Sequence, residues 1–183
     1  MISYEDSLPI AWVSGPTSEH DSLALDTTNE YVLEAVAAVE EHAQDHLSED
    51  YPELHQELKR LDAKVHLVMD MLSRLLQASA AAPRARRVRI GADRVEFRTA
   101  DEGTELKGEG TLELYLHASI PEPLRLPGTI ERSFRDEDDR LWYVVAVAPL
   151  ERGLRDLLSR HVFRHHRRSV AAARQAGSGA EAG

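Results

Sequence analysis

Leu124-Arg125-Leu126-Pro127-Gly128-Thr129-Ile130-Glu131-Arg132-Ser133-Phe134, then Arg135-Asp136-Glu137-Asp138-Asp139, then Leu141-Trp142-Tyr143-Val144-Val145-Ala146-Val147, is the stretch that decides the fold. Apolar and β-branched runs lie either side of a charged turn, which reads as antiparallel strands. Pro127-Gly128 divides the first run into two short pieces. Upstream, Val88 and Ile90 alternate with Arg87 and Arg89, and Val95 and Phe97 with Glu96 and Arg98. Leu112, Leu114 and Leu116 alternate with Glu113, Tyr115 and His117. A two-residue period puts one apolar face of each strand inward. The spacing predicts six short strands, the mark of a small antiparallel barrel or sandwich. Leu154, Leu157, Leu158, Val162 and Phe163 then form a helical stripe able to close one end.

Before Pro83 the period is different. Leu54, Leu58, Leu61, Val65, Val68, Leu72 and Leu75 are spaced alternately four and three residues apart, with no Gly or Pro between 53 and 78. A strict seven-residue repeat keeps one seam facing a partner helix as the helices supercoil. A helix lying on its own core has a looser period and a wider stripe, so a seam between helices is the preferred reading. With Leu58, Val65 and Leu72 at the a positions, the flanks begin polar at Glu57, Asp62 and Lys64. They turn apolar at Met69, Met71 and Leu76. Apolar flanks suit three or four helices better than two, and a tetramer is favoured over a trimer. Some of that surface could instead be covered by a preceding helix, with Asn29 as its N-cap and Val32, Val36, Val39 and Ala43 at helical spacing. His66 falls at a solvent position of the repeat.

The expected layout is an irregular arm over 1–27, with one short strand at Ile10–Val13. A helical hairpin with the heptad helix follows over 28–79, then a barrel with its closing helix over 83–168. A frayed tail of small residues occupies 169–183. The class is α+β.

Charge follows the same division. The net charge of the 183 residues is −10, yet residues 1–80 carry 16 acids and 4 bases while residues 81–183 carry 16 acids and 18 bases. An acidic balance with 5% aromatic residues argues against nucleic acid as a partner, since phosphate neutralisation and base stacking supply most such affinity. The chain has no cysteine, which excludes disulfides, thiolate metal sites and thiol nucleophiles. It begins without a basic and apolar leader and has no run of about 18 apolar residues, so a cytoplasmic address and no membrane span are expected.

Little in the sequence suggests catalysis. Gly108-Glu109-Gly110 lacks the Lys-Ser/Thr and following helix of a phosphate loop. No Ser-His-acid set or paired carboxylates can be assembled, so a non-enzyme without cofactors is expected. His161 and His165 are four apart on a helix, with His166 beside them. That spacing suits a metal pair, but Glu151 and Asp156 lie a turn or more upstream and complete no ligand set. The preferred reading is a cationic helix end, with no metal. Two arginine clusters remain. Arg84, Arg86, Arg87 and Arg89 lead into the first strand of this half, where guanidinium forks could hold phosphates. Arg160, Arg164, Arg167 and Arg168 end the last helix and read as a solvated face.

The order of arginine-rich lead-in, Leu112-Glu113-Leu114-Tyr115-Leu116, Pro127-Gly128-Thr129-Ile130-Glu131-Arg132 and Trp142-Tyr143-Val144-Val145-Ala146-Val147 resembles a PilZ domain. The closing stretch from Leu154 to Arg164 is similar too. The resemblance covers roughly 83–168 and implies a six-stranded antiparallel barrel with a C-terminal helix. Many members are receptors for cyclic di-GMP, read by Arg-x-x-x-Arg ahead of the barrel and Asp/Asn-x-Ser-x-x-Gly on an early strand. Aligned on Val95-Glu96-Phe97, this chain has Arg89 for the acid, Gly91 for the serine and Arg94 for the glycine. None matches. Arg94 and Arg98 have the arginine spacing but lie inside a strand. The chain looks like the atypical, oligomeric PilZ subgroup with added helices, which is tied to motility and virulence regulation. The implied role is a non-catalytic regulator working through self-association and an unidentified protein partner. The alternative is cyclic di-GMP binding at a degenerate site of Arg84, Arg86, Arg87 and Arg89.

Overall fold

The computed structural model describes residues 2–16, 19–42, 83–99 and 105–180, with scattered helical positions between 56 and 71. Six strands close into one barrel: β1 (Ser3–Ser14), β2 (Ala85–Gly91), β3 (Arg94–Arg98), β4 (Gly108–Leu114), β5 (Leu124–Arg135) and β6 (Leu141–Val147). Their order around the barrel is β1-β2-β3-β6-β5-β4, with every neighbouring pair antiparallel. Helix α1 (Glu19–His42) links β1 to the segment before the barrel's second strand, and helix α2 (Arg152–Ala180) follows β6.

The number six is as expected, but the strands are divided differently. Leu124–Arg135 is one continuous strand through Pro127-Gly128, and the sixth strand comes from the supposedly irregular arm. Two features let the chain do this. Pro127 lacks a donor, but β6 ends opposite Gly128, and on that side Pro127 needs only its carbonyl, which accepts from the Ala148 N–H at 2.8 Å. Gly128 is required because a Cβ there would lie 2.5 Å from the Ala146 carbonyl oxygen.

β1 closes the barrel by serving two neighbours in turn. Ser3 to Pro9 pair with β2, and Ile10 to Ser14 pair with β4. Pro9 stands at the changeover, where a lost donor costs least, and its carbonyl accepts from the Tyr115 N–H at 3.1 Å. Among the described residues, closure leaves no exposed edge strand to recruit other chains.

Tyr4, Leu8, Ile10, Val88, Ile90, Val95, Phe97, Leu112, Leu114, Leu124, Leu126, Tyr143 and Val145 fill the barrel. Val32, Leu33 and Val36 of α1 join this core, with Leu154, Leu158 and Val162 of α2. The α2 stripe is therefore nearly as expected, except that Phe163 is half exposed while His161 takes a buried place beside Val162.

Asn29 corrects the expected start of the first helix. Helix α1 begins ten residues earlier, at Glu19, so Asn29 lies inside it, fully buried, and caps nothing. Its side chain instead accepts from the Arg125 N–H at 2.8 Å and donates to the Arg125 carbonyl at 2.7 Å. The Arg125 backbone faces the side of β5 that β6 no longer covers, and the Asn29 amide supplies the bonds that another strand would give.

The tail is also corrected. Residues 169–180 continue α2, in a run rich in alanine and free of proline. Of the heptad residues, Leu61, Val65 and Val68 are described and helical; Leu54, Leu58, Leu72 and Leu75 lie outside the described residues, as do His66, Met69 and Leu76. Among the described residues no helix is long and apolar enough to cross a membrane.

Candidate functional site

Three places merit attention, and the first is the heptad segment. Leu61, Val65 and Val68 are 61%, 54% and 58% exposed, and with the Lys64 stem they line a shallow groove of about 240 Å³. Leu67 and Met71 are similarly exposed. Aliphatic side chains at a and d spacing form an exposed stripe that has no partner among the described residues. Such a stripe marks a contact surface.

The second is the arginine lead-in, which the structure disperses. Arg89 pairs with Glu5 of β1 and, at 2.6 Å, with Glu96 of β3. Arg86 lies on the opposite face of β2 and donates to the Thr99 hydroxyl at 3.0 Å. Arg84 and Arg87 are exposed. Strand alternation splits what is continuous in the sequence, so these four guanidiniums do not converge on one phosphate-sized space. Arg94 and Arg98 do share a face of β3, and Arg94 pairs with Glu131 at 2.9 Å.

The third is a polar nest where α2 crosses α1 and β1. The Tyr4 hydroxyl meets His161 Nε2 at 2.9 Å, and the Tyr4 ring stacks on His165 with centroids 4.6 Å apart. His165 Nε2 meets Glu40 Oε1 at 2.7 Å. Arg168 and Arg164 reach the other carboxylate oxygen at 3.3 and 3.5 Å. His166 turns away, its Nδ1 on the Ser3 carbonyl at 2.7 Å. His161 Nδ1 is buried with no hydrogen-bond partner.

This nest overturns the cationic helix end. Helix α2 runs on to Ala180, so no C-terminal dipole lies near His161. Burial, reinforced by the nearby His165 charge, depresses His161 to a pKa of about 4, so it is neutral at physiological pH. Glu40 behaves oppositely. Burial alone would raise its pKa, but the hydrogen bond and charge of His165, with Arg168, outweigh it and hold Glu40 at about 2. Tyr4 is pushed well above its ordinary value, first by burial and then by Asp6 and Glu40. Sequence spacing found the histidine pair but missed the acid, because Glu40 lies more than 120 residues away. Glu40, His161 and His165 together could hold a metal ion.

A pH dependence follows. The unfolded chain takes up a proton on His161 near pH 6.5, while the folded chain resists until about pH 4. Between these values the unfolded state binds more protons, so stability is fully present above pH 6.5 and is lost as pH falls from there to about 4. For a buried imidazole a difference of this size is worth about 3 kcal/mol. Chelator-treated protein unfolded in denaturant at pH 7.5 and pH 4.5 is expected to show most of that loss, and His161→Gln should flatten it. An unchanged slope in the variant would place the acid sensitivity elsewhere.

No curated protein matches the chain. Among solved structures, a pathogenic protein from Xanthomonas campestris is similar over 93% of this chain and 91% of its own, with 29% identity and a TM-score of 0.71. That protein is described as a tetrameric PilZ domain self-assembled via an unusual helical bundle. The inhibitor of motility from Bacillus subtilis shares 15% identity over 44% of this chain and 40% of its own, with a TM-score of 0.37, too low to bear on the argument. The sequence pattern of one family, described as the atypical PilZ domain, cyclic di-GMP receptor, matches residues 33–175. With a closed six-stranded barrel, a C-terminal helix and a match over most of its length, the chain belongs to the atypical PilZ domain family.

Proposed function

We propose that this protein is a non-catalytic regulatory module that acts by assembling four copies through the heptad helix, in bacterial motility and virulence signalling. The observation that carries this reading is the exposed stripe of Leu61, Val65 and Val68, an apolar face left uncovered among the described residues. A second copy is the occupant it fits, since the stripe has the heptad spacing by which like helices interlock. The self-assembled relative from Xanthomonas campestris supports four copies rather than two. The signalling setting rests on the family and on that relative's description as a pathogenic protein. Assembly would present four barrels to a further protein partner. Light scattering on the purified full chain should give the mass of four chains, and a monomer would refute the reading.

The family's description favours a second reading, binding of cyclic di-GMP. Such a site would use Arg84, Arg86, Arg87 and Arg89. Against it, Arg89 is already neutralised by Glu5 and Glu96, and Arg86 points away from its neighbours in sequence. Calorimetric titration should therefore show no micromolar binding of cyclic di-GMP to the wild type. A low-micromolar isotherm abolished by both Arg86→Ala and Arg87→Ala would instead establish the receptor role.

A further inference from the structure

Beyond assembly, the nest between the helices carries chemistry that the barrel does not explain. We propose that Glu40, His161 and His165 form a binding site for one divalent transition-metal ion of the zinc type, tying α1 to α2. One donor atom from each residue lies within 4.8 Å of the others. Tetrahedral zinc, with ligand bonds near 2.1 Å, separates its donors by about 3.4 Å, so modest side-chain rotation closes the set.

Each donor is suited to the role. His161 and His165 are one helical turn apart and present their rings to the same side of α2, where the centroids are 4.4 Å apart. His161 is 2% exposed, and its Nδ1 is left buried without a hydrogen bond. Its other ring nitrogen is held by the Tyr4 hydroxyl, the kind of outer contact that orients a metal-bound imidazole. Glu40 presents Oε1 to His165. Two nitrogens and one oxygen favour zinc, nickel or copper over calcium or magnesium, which prefer oxygen alone. A fourth position would be left for water.

Arg164 and Arg168 work against the ion. Both approach Glu40 Oε2, at 3.5 and 3.3 Å, so the carboxylate is already partly neutralised. They leave Oε1 facing the histidines and lower the affinity without removing a donor. Binding in the micromolar rather than the nanomolar range is expected. Glu40 is two residues from His42, where the described part of α1 ends, and the chain beyond carries the heptad repeat. The ion would therefore fix the last turn of α1 against the barrel-closing helix.

Full-length protein stripped with chelator is titrated with zinc chloride by calorimetry and with cobalt(II) by visible absorption. One ion per chain is expected, with the intense cobalt bands of low coordination number. Saturating zinc should raise the melting temperature, because a ligand that binds only the folded state stabilises it. His165→Ala and Glu40→Gln should each weaken binding tenfold or more and abolish the thermal gain. Either of two results overturns the proposal: no zinc uptake by the wild type at roughly 100 µM, well above the expected Kd, or uptake of unchanged strength in both variants, which would assign it to other histidines. The wild-type titration decides even if a variant fails to fold.

Discussion

Val65→Asp is expected to dissociate the assembly into single chains. Val65 occupies an a position in the middle of the repeat and is 54% exposed in the isolated chain, so it is free to enter an interface. In a helical bundle each copy would bring the new carboxylate to the same dry layer. One unpaired buried ion costs about 3–5 kcal/mol, and repulsion among copies adds to this. A seam of three heptads cannot absorb that loss. The barrel does not use Val65, so far-UV circular dichroism should keep its strand signal. Lys64→Ala, next to the seam, should leave the mass unchanged. Sedimentation or light scattering on both variants tests this, and an oligomer indifferent to Val65→Asp would show that the heptads pack within one chain.

Asn29→Ala should damage the fold strongly. It removes two hydrogen bonds of 2.7 and 2.8 Å and strands the Arg125 N–H and carbonyl beside a fully buried position. Each buried polar group left unsatisfied costs about 1–3 kcal/mol, so a loss of about 3 kcal/mol is expected. For a chain of this size that lowers Tm by roughly 6–12 °C, compared at one protein concentration. Asn29→Asp should fare no better, because it keeps the acceptor but exchanges the donor for a buried charge. Thr28→Ala is the contrasting case. Its hydroxyl only bonds back to the Ala24 carbonyl of the same helix, so a change within about 0.5 kcal/mol is expected. Equal effects at positions 28 and 29 would mean the clip on β5 contributes nothing.

The sequence by itself determined the inward faces of β2, β3 and β4, the α2 stripe and the seven-residue repeat. These are local periodicities, and burial on one face of a strand or helix writes them directly into residue order. Even β1 left a trace, since Tyr4, Leu8, Ile10 and Trp12 keep the two-residue period. Asp6 and Pro9 interrupt it, and only barrel closure selects the strand over the arm. The resemblance to PilZ domains was legible for the same reason, being carried by strand-length runs.

Tertiary structure alone decided the rest. Whether Pro127-Gly128 ends a strand depends on where β6 stops, not on the dipeptide. Whether Asn29 caps a helix or clips a strand depends on a peptide group 96 residues away. The four arginines are neighbours in sequence, but pleating sends Arg86 and Arg89 to opposite faces and gives Arg89 to carboxylates from two other strands. Conversely, Glu40 and the histidines of α2 have no sequence relation, yet the packing of α1 on α2 brings them within 4.8 Å. Periodicity specifies which face of an element is buried; which polar groups then meet is set by how those faces are packed against one another.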